Sequence, residues 1–178
     1  MEFKETKLNG VYVIENNIFN DERGKFVKTF NFEEFSKQEL YFNLKESFYT
    51  VSKKGVIRGM HFQTPPFEHA KIVYVVSGKI NDVVVDLRKQ SPTFGEFICI
   101  ELSEENNKSI YVPKGFAHGF EVISDSAKVV YLTSSVYSPE NDEGILWNSF
   151  GFKWNSENPI LSERDKNFIK LNEFESVF

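Results

Sequence analysis

The sequence predicts an all-β protein, an antiparallel β-sandwich or jelly roll with a few short helices, in one domain over residues 1–178. Three observations predict it. Short alternating apolar and polar segments recur along the chain, punctuated by 10 glycines and 6 prolines. Aromatic residues make up 16% of the chain, a share that suits pleated surfaces. Hydrophobic residues reach 40% over 178 positions, enough for one core, and no repeat, low-complexity tract or linker divides the chain.

Strands are expected over Gly10–Ile14, Lys25–Phe30, Phe48–Ser52, Val56–Gln63, Lys71–Ser77, Lys79–Arg88, Glu96–Leu102, Ser109–Val112, His118–Ile123 and Lys128–Ser135. Ser77-Gly78 lies between two alternating runs and reads as a hairpin turn. In Lys79–Arg88, Val83, Val85 and Leu87 share one face while Asp82, Asp86 and Arg88 share the other, the pattern of a half-buried strand. Asn31-Phe32-Glu33-Glu34 has capping-box spacing, with Phe32, Phe35 and Leu40 as an apolar stripe. Ser162-Glu163-Arg164-Asp165 ahead of Phe168-Ile169 starts a second short helix.

Charge and cysteine content exclude several classes. A net charge of -5 argues against long nucleic acid, whose affinity comes mainly from many cationic phosphate contacts. The single Cys99 excludes a disulfide framework and a cysteine-based zinc site, and its neighbours Phe97, Ile98 and Ile100 make it a buried apolar residue. The stretch Met1–Glu5 has no apolar signal core, and no run reaches bilayer length. A cytoplasmic protein without a membrane or nucleic-acid partner is expected.

Histidine and arginine are scarce, so their positions carry information. The histidines are His61, His69 and His118; the arginines are Arg23, Arg58, Arg88 and Arg164. For a lone histidine, a hydrogen-bonded core or rim position is the default. A metal site and a metal-free acid–base site, with His61 as base, are the functional alternatives. Lys71 opens an apolar run, and a lysine there ordinarily points to solvent. Asp165 reads equally as an acid in a helix's first turn, Tyr131 as a half-buried strand tyrosine and Tyr137 as a loop tyrosine.

A set of motifs now stands in one order: Asp21-Glu22-Arg23-Gly24, Arg58-Gly59-Met60-His61-Phe62-Gln63, Lys71-Ile72-Val73, Asp82-Val83-Val84-Val85-Asp86-Leu87-Arg88 and Ser91-Pro92-Thr93-Phe94-Gly95. Val112-Pro113-Lys114-Gly115-Phe116-Ala117-His118-Gly119-Phe120, Tyr137-Ser138-Pro139-Glu140 and Leu161-Ser162-Glu163-Arg164-Asp165 follow. Spanning nearly the whole chain, the set resembles the dTDP-4-dehydrorhamnose 3,5-epimerase family of cupin-type jelly rolls. Pro113-x-Gly115-x-x-His118 is similar to the second cupin motif, but the His-x-His pair of metal-binding cupins is missing.

The resemblance implies a homodimer with no metal and no cofactor, acting on a nucleotide-diphosphate-linked 4-keto-6-deoxy sugar. It implies that His61 is the base, Asp165 its partner carboxylate, Tyr131 the proton donor and Lys71 the cation near O4. Arg58, Gln63 and His118 match ligand-contacting positions. Arg23 matches a nucleotide or phosphate contact, Tyr137 the aromatic that stacks on the base, and Asp142 a contacting acidic position. Two departures bear on the substrate. Lys28, an expected nucleotide contact, stands where rhamnose-pathway members carry a contacting Glu. Glu46-Ser47-Phe48-Tyr49-Thr50, with Ser47 among the expected contacts, replaces their Gln-Asp-Asn-His-Ser run. A different base or sugar is therefore expected, with CDP- or GDP-linked sugars as options. A 3,4-ketoisomerase and a non-catalytic nucleotide-sugar binder are the alternatives.

One geometric requirement follows from strand parity. Arg58 and His61 are separated by an odd interval and would face opposite ways in a regular strand. Both reach one cavity only if the strand is irregular between them, and Gly59 is the expected bulge position.

Overall fold

The computed structural model describes residues 1–178. Two antiparallel sheets face each other. The six-stranded sheet runs β1 (Glu2–Glu5), β2 (Tyr12–Glu15), β10 (Lys108–Val112), β7 (Lys71–Ser77), β12 (Ser126–Thr133) and β5 (Glu46–Lys53). The five-stranded sheet runs β13 (Asp142–Gly144), β6 (Ile57–Gln63), β11 (Phe116–Val122), β8 (Lys79–Asp86) and β9 (Phe97–Ser103). A separate hairpin joins β3 (Asn17–Asp21) to β4 (Gly24–Lys28). The all-β jelly roll is as expected. The three short strands β1, β3 and β13 carry too few apolar residues to announce themselves.

Side-chain alternation divides each sheet into an inner and an outer face. Val73, Val75, Ile80, Val84, Phe116, Phe120, Val129 and Tyr131 meet between the sheets in the main core. The outer face of the six-stranded sheet is covered by Phe35, Phe42 and their neighbours, packed on Ile14, Ile72 and Tyr111. Asn31 caps α1 (Phe32–Ser36), its side chain accepting from the Glu34 N–H at 3.1 Å. Phe35 is buried in that layer, whereas Phe32 is 63% exposed and stays out of the expected stripe.

Three expectations are corrected. Ser77-Gly78 is a turn but not a hairpin, because β7 and β8 lie in different sheets. Gly78 sits at φ +81°, and a Cβ there would meet the Ser126 carbonyl at 2.0 Å, so the corner needs glycine to pass the chain between sheets. Alternation announces a strand, not its partner. Strand β8 is buried on both faces rather than half-buried: Val83, Val85 and Leu87 pack under a C-terminal segment bearing Phe150, Phe152, Trp154, Phe174 and Phe178. Cys99 is exposed, because β9 is an edge strand and its alternate residue Ile98 turns inward.

The C-terminal segment also builds the site. The buried Glu121 carboxylate accepts the N–H groups of Asn155 at 2.9 Å and Ser156 at 2.7 Å. The Ile160 N–H then donates to the Gly55 carbonyl at 2.9 Å, and the Ile57 N–H to the Ile160 carbonyl at 3.0 Å. Ser162 caps α2 (Glu163–Lys166), accepting from the Asp165 N–H at 3.1 Å.

Candidate active site

Between the sheets, where the core gives way to polar residues, lies a cavity of about 790 Å³. Its wall includes Arg58, His61, Gln63, Lys71, His118, Tyr131, Tyr137, Asp142 and Asp165 of the expected set. Parity explains the less obvious members. Lys71 shares its face with Val73 and Val75 and so points inward, not to solvent. Tyr131 shares its face with Val129 and Ala127.

Arg58 and His61 both line the cavity because β6 is irregular between them, as parity required. Across the ladder His118 pairs with His61 and Phe120 with Arg58, so β6 carries one extra residue there. Gly59 sits at φ +146°, and a Cβ there would meet Gly119 Cα at 2.6 Å. Met60, between them, turns to the outer core.

The bulge has a second consequence. The Gly59 N–H donates to Asp165 Oδ2 at 3.2 Å, while Asp165 Oδ1 lies 2.9 Å from His61 Nε2. With 4% of its surface exposed, Asp165 has turned in from the first turn of α2 rather than facing water. Burial pushes its acidity constant up, but the hydrogen bonds from His61 and Gly59 outweigh that and hold it below the usual carboxylate range. Burial pulls His61 down more than Asp165 raises it, so the ring is neutral near pH 7. The proton therefore sits on Nε2 toward Asp165, leaving the Nδ1 lone pair free. The His61 side chain is 30% open, and that opening is into the cavity.

The opposite wall belongs to the six-stranded sheet. Tyr131 is 7% exposed and stacks on Phe48 at 4.8 Å between centroids. Burial, aided by the charge of Asp82, raises its phenol, which keeps its proton. Lys71 stands on the neighbouring strand, its Nζ donating to the His61 carbonyl at 3.2 Å. Burial lowers Lys71 to about 8, with Asp142 and Asp82 pulling it back up, so at neutral pH it is a desolvated cation.

Sequence reasoning missed Asp82, Arg164, Glu46 and His69 as site residues. Asp82 is fully buried and takes His118 Nε2 at 2.8 Å. Its parity with Ile80 and Val84 in an apolar run was the available signal. Arg164, next to Asp165 in sequence, pairs with Asp142 and lies over the Phe168 ring at 5.2 Å. Glu46 accepts the Tyr137 N–H at 2.9 Å. His69 lines the wall beside Gln63, and burial drives it down to about 3, so it is neutral.

Four expected contacts sit differently. The Gln63 carboxamide is engaged by backbone, accepting from the Ser138 N–H at 2.8 Å and donating to the Phe67 carbonyl at 2.8 Å. Ser47 alternates with the cavity-lining Glu46 and Phe48 and so faces outward. Arg23 is at the exposed tip of the β3–β4 hairpin, its side chain 88% exposed and paired to Asp21. Lys28 is on the same hairpin, and neither it nor Arg23 lines the cavity.

A jelly roll whose interior sets a carboxylate-oriented neutral histidine against a buried phenol and a desolvated lysine holds a base, an acid and an oxyanion-stabilising cation, the groups an isomerase needs to move a proton at a carbon beside a carbonyl. The sequence profile of dTDP-4-dehydrorhamnose 3,5-epimerase matches residues 5–173. The chain is 42% identical over 171 residues to the dTDP-4-dehydrorhamnose 3,5-epimerase of Shigella flexneri, covering 93% of each. The Bacillus anthracis enzyme, solved with TDP and pyrophosphate bound, superposes with a TM-score of 0.92 at 35% identity, covering 95% of this chain and 98% of that one. The Legionella pneumophila enzyme, solved with dTDP-4-keto-L-rhamnose, gives 0.93 at 33% identity, covering 98% and 94%. The chain belongs to the dTDP-4-dehydrorhamnose 3,5-epimerase family.

Proposed function

We propose that this protein inverts C3 and C5 of a thymidine-diphosphate-linked 4-keto-6-deoxy sugar, in the cytoplasm, for deoxysugar biosynthesis. One observation carries the reading: His61 stands on the five-stranded sheet and Tyr131 on the six-stranded sheet, facing one cavity from opposite walls. Inversion needs a proton taken from one face of a sugar ring and returned to the other, and a base and an acid on opposing sheets supply both.

The ketone at C4 acidifies the hydrogens at C3 and C5. His61 Nδ1 removes one, and the electron pair moves onto O4 as an enolate. The Lys71 ammonium stabilises that oxyanion in a site with little water to compete. Tyr131 returns a proton to the opposite face of the carbon, and solvent resets both groups. Asp165 holds the His61 ring and offsets the charge it acquires. Arg58 supports the diphosphate, Tyr137 stacks on the base, and His118 holds the sugar with its free ring nitrogen. Asp142, paired with Arg164, places a guanidinium at the same mouth.

Thymidine is favoured by the ligands of the related structures. Lys28 lies on the hairpin and off the cavity wall, whereas the second departure puts Glu46, Phe48 and Thr50 on that wall, so the assignment of the base rests on the related ligands and on the competition test below. A homodimer is supported by the exposed apolar residues of that hairpin, Phe19 and Phe26 at 60% each, and by Tyr49 and Val51 on the unpaired edge strand β5. Such a dimer gives Arg23 a cavity to enter other than its own.

The test is turnover of dTDP-4-keto-6-deoxyglucose in deuterium oxide. Label at both C3 and C5, with inverted product, is the expected result. Label at neither refutes epimerisation. Competition among dTDP, CDP and GDP reads the base, and preference for CDP or GDP overturns the thymidine assignment.

A further inference from the structure

Gln63 sits on β6, two residues beyond His61, and is 4% exposed. Its carboxamide orientation is fixed by its partners. Oε1 must be the atom receiving the Ser138 N–H at 2.8 Å, and Nε2 the atom donating to the carbonyls of Phe67 at 2.8 Å and Val136 at 3.1 Å. Val136 and Ser138 flank Tyr137, and the Tyr137 N–H between them goes to Glu46 Oε2 at 2.9 Å. Tyr137 lies between the end of β12 and the start of β13, outside any ladder. Tyr137 is 56% exposed and belongs to no core cluster. The place of its ring at the cavity wall is therefore set by its backbone, and the backbone is set by side chains from β5 and β6.

We propose that Gln63 is a positioning residue for the nucleotide, acting through Tyr137 rather than by touching the ligand. This rests on the reading that Tyr137 stacks on the base. The proton-transfer groups keep their own anchors, Asp165 on His61 and the β12 ladder on Tyr131. Loss of the Gln63 carboxamide accordingly acts on binding and leaves the chemical step alone.

The experiment is a double-mutant cycle of Gln63→Met with Tyr137→Ala, read by dTDP affinity and by steady-state kinetics. Gln63→Met keeps length and apolar packing while removing every polar contact. Expected is a roughly ten-fold loss of dTDP affinity and a matching rise in KM. The kcat and its pH profile stay as in the wild type. In the Tyr137→Ala background the same change adds less than about two-fold, because the ring it positions is gone. Where Gln63→Met fails to fold, Gln63→Glu, which retains the acceptor, takes its place in the same cycle. Equal losses in both backgrounds mean that Gln63 acts by touching the ligand or through His69, whose Nδ1 lies 3.1 Å from Gln63 Nε2, and overturn the proposal, as does a fall in kcat at unchanged KM. Wild-type binding of dTDP with an equally tight Gln63→Met chain overturns this inference alone. A wild-type chain that binds no dTDP overturns the functional reading and this inference with it.

Discussion

His61 and His118 face each other across the β6–β11 ladder, and each sets Nε2 on a buried carboxylate, Asp165 at 2.9 Å and Asp82 at 2.8 Å. The two pairs look alike but differ in access: the His61 side chain is 30% open and that of His118 is 3% open. Only His61 offers its lone pair to a carbon-bound hydrogen. His61→Ala should remove solvent deuterium exchange at both C3 and C5, a loss of about 10²–10⁴-fold or more. His118→Asn should slow exchange without ending it. The opposite pattern would move the base to His118.

Asp165 acts on His61 through one hydrogen bond, so its removal has a readable sign. The carboxylate raises the His61 acidity constant against the larger lowering by burial. Asp165→Asn should therefore shift the acid limb of kcat/KM to lower pH, while kcat falls because the ring loses its preferred tautomer. An acid limb that moves upward would show that Asp165 does not act on His61 as the geometry requires.

Tyr131→Phe separates the two half-reactions. The base and the enolate-stabilising lysine remain, so hydrogen at the reactive carbon should still exchange with solvent. Return to the opposite face loses its donor, and inversion should fall by about 10²-fold or more. NMR of the sugar ring after incubation in deuterium oxide reads label and configuration together. Full inversion by this variant would place the donor elsewhere.

What the sequence made legible follows from parity and from scarcity. Scarce histidines in apolar strands located His61 and His118, and the odd interval from Arg58 to His61 demanded the bulge at Gly59. The strand-end position of Lys71 by itself read as solvent-facing, while the family resemblance and its parity with Val73 and Val75 put it in the cavity. Asp82 was hidden because β8 looks half-buried until the C-terminal aromatics cover its outer face. Gln63 was legible as a motif residue, but its engagement by Val136 and Ser138 depends on a loop about 75 residues away, beyond any local pattern.

The bulge at Gly59 should tolerate no side chain. At φ +146°, with Gly119 Cα 2.6 Å from where a Cβ would stand, Gly59→Ala must move backbone in two strands. The expected cost is about 2–4 kcal/mol of stability from strained backbone and overpacking. Because the same residue's N–H holds Asp165, activity at temperatures where the variant is folded should also fall. Thermal unfolding and kinetics on one preparation check both. A variant as stable and active as the wild type would mean that neither the bulge nor its amide matters.

The pH profile should carry the signature of Lys71. Its ammonium is needed to hold the enolate, and burial places its titration at about 8. Below that value the cation is present; above it the amine is neutral and the oxyanion loses its partner, so kcat/KM should decline with a midpoint near 8. Tyr131 titrates higher and sets no limb in this range. His61, lowered from its ordinary value of about 6.5, keeps the acid limb below that pH. Lys71→Met should lower activity at every pH and erase the alkaline limb while leaving the acid limb in place. If the limb near 8 survives that substitution, another group carries it and the oxyanion role passes from Lys71.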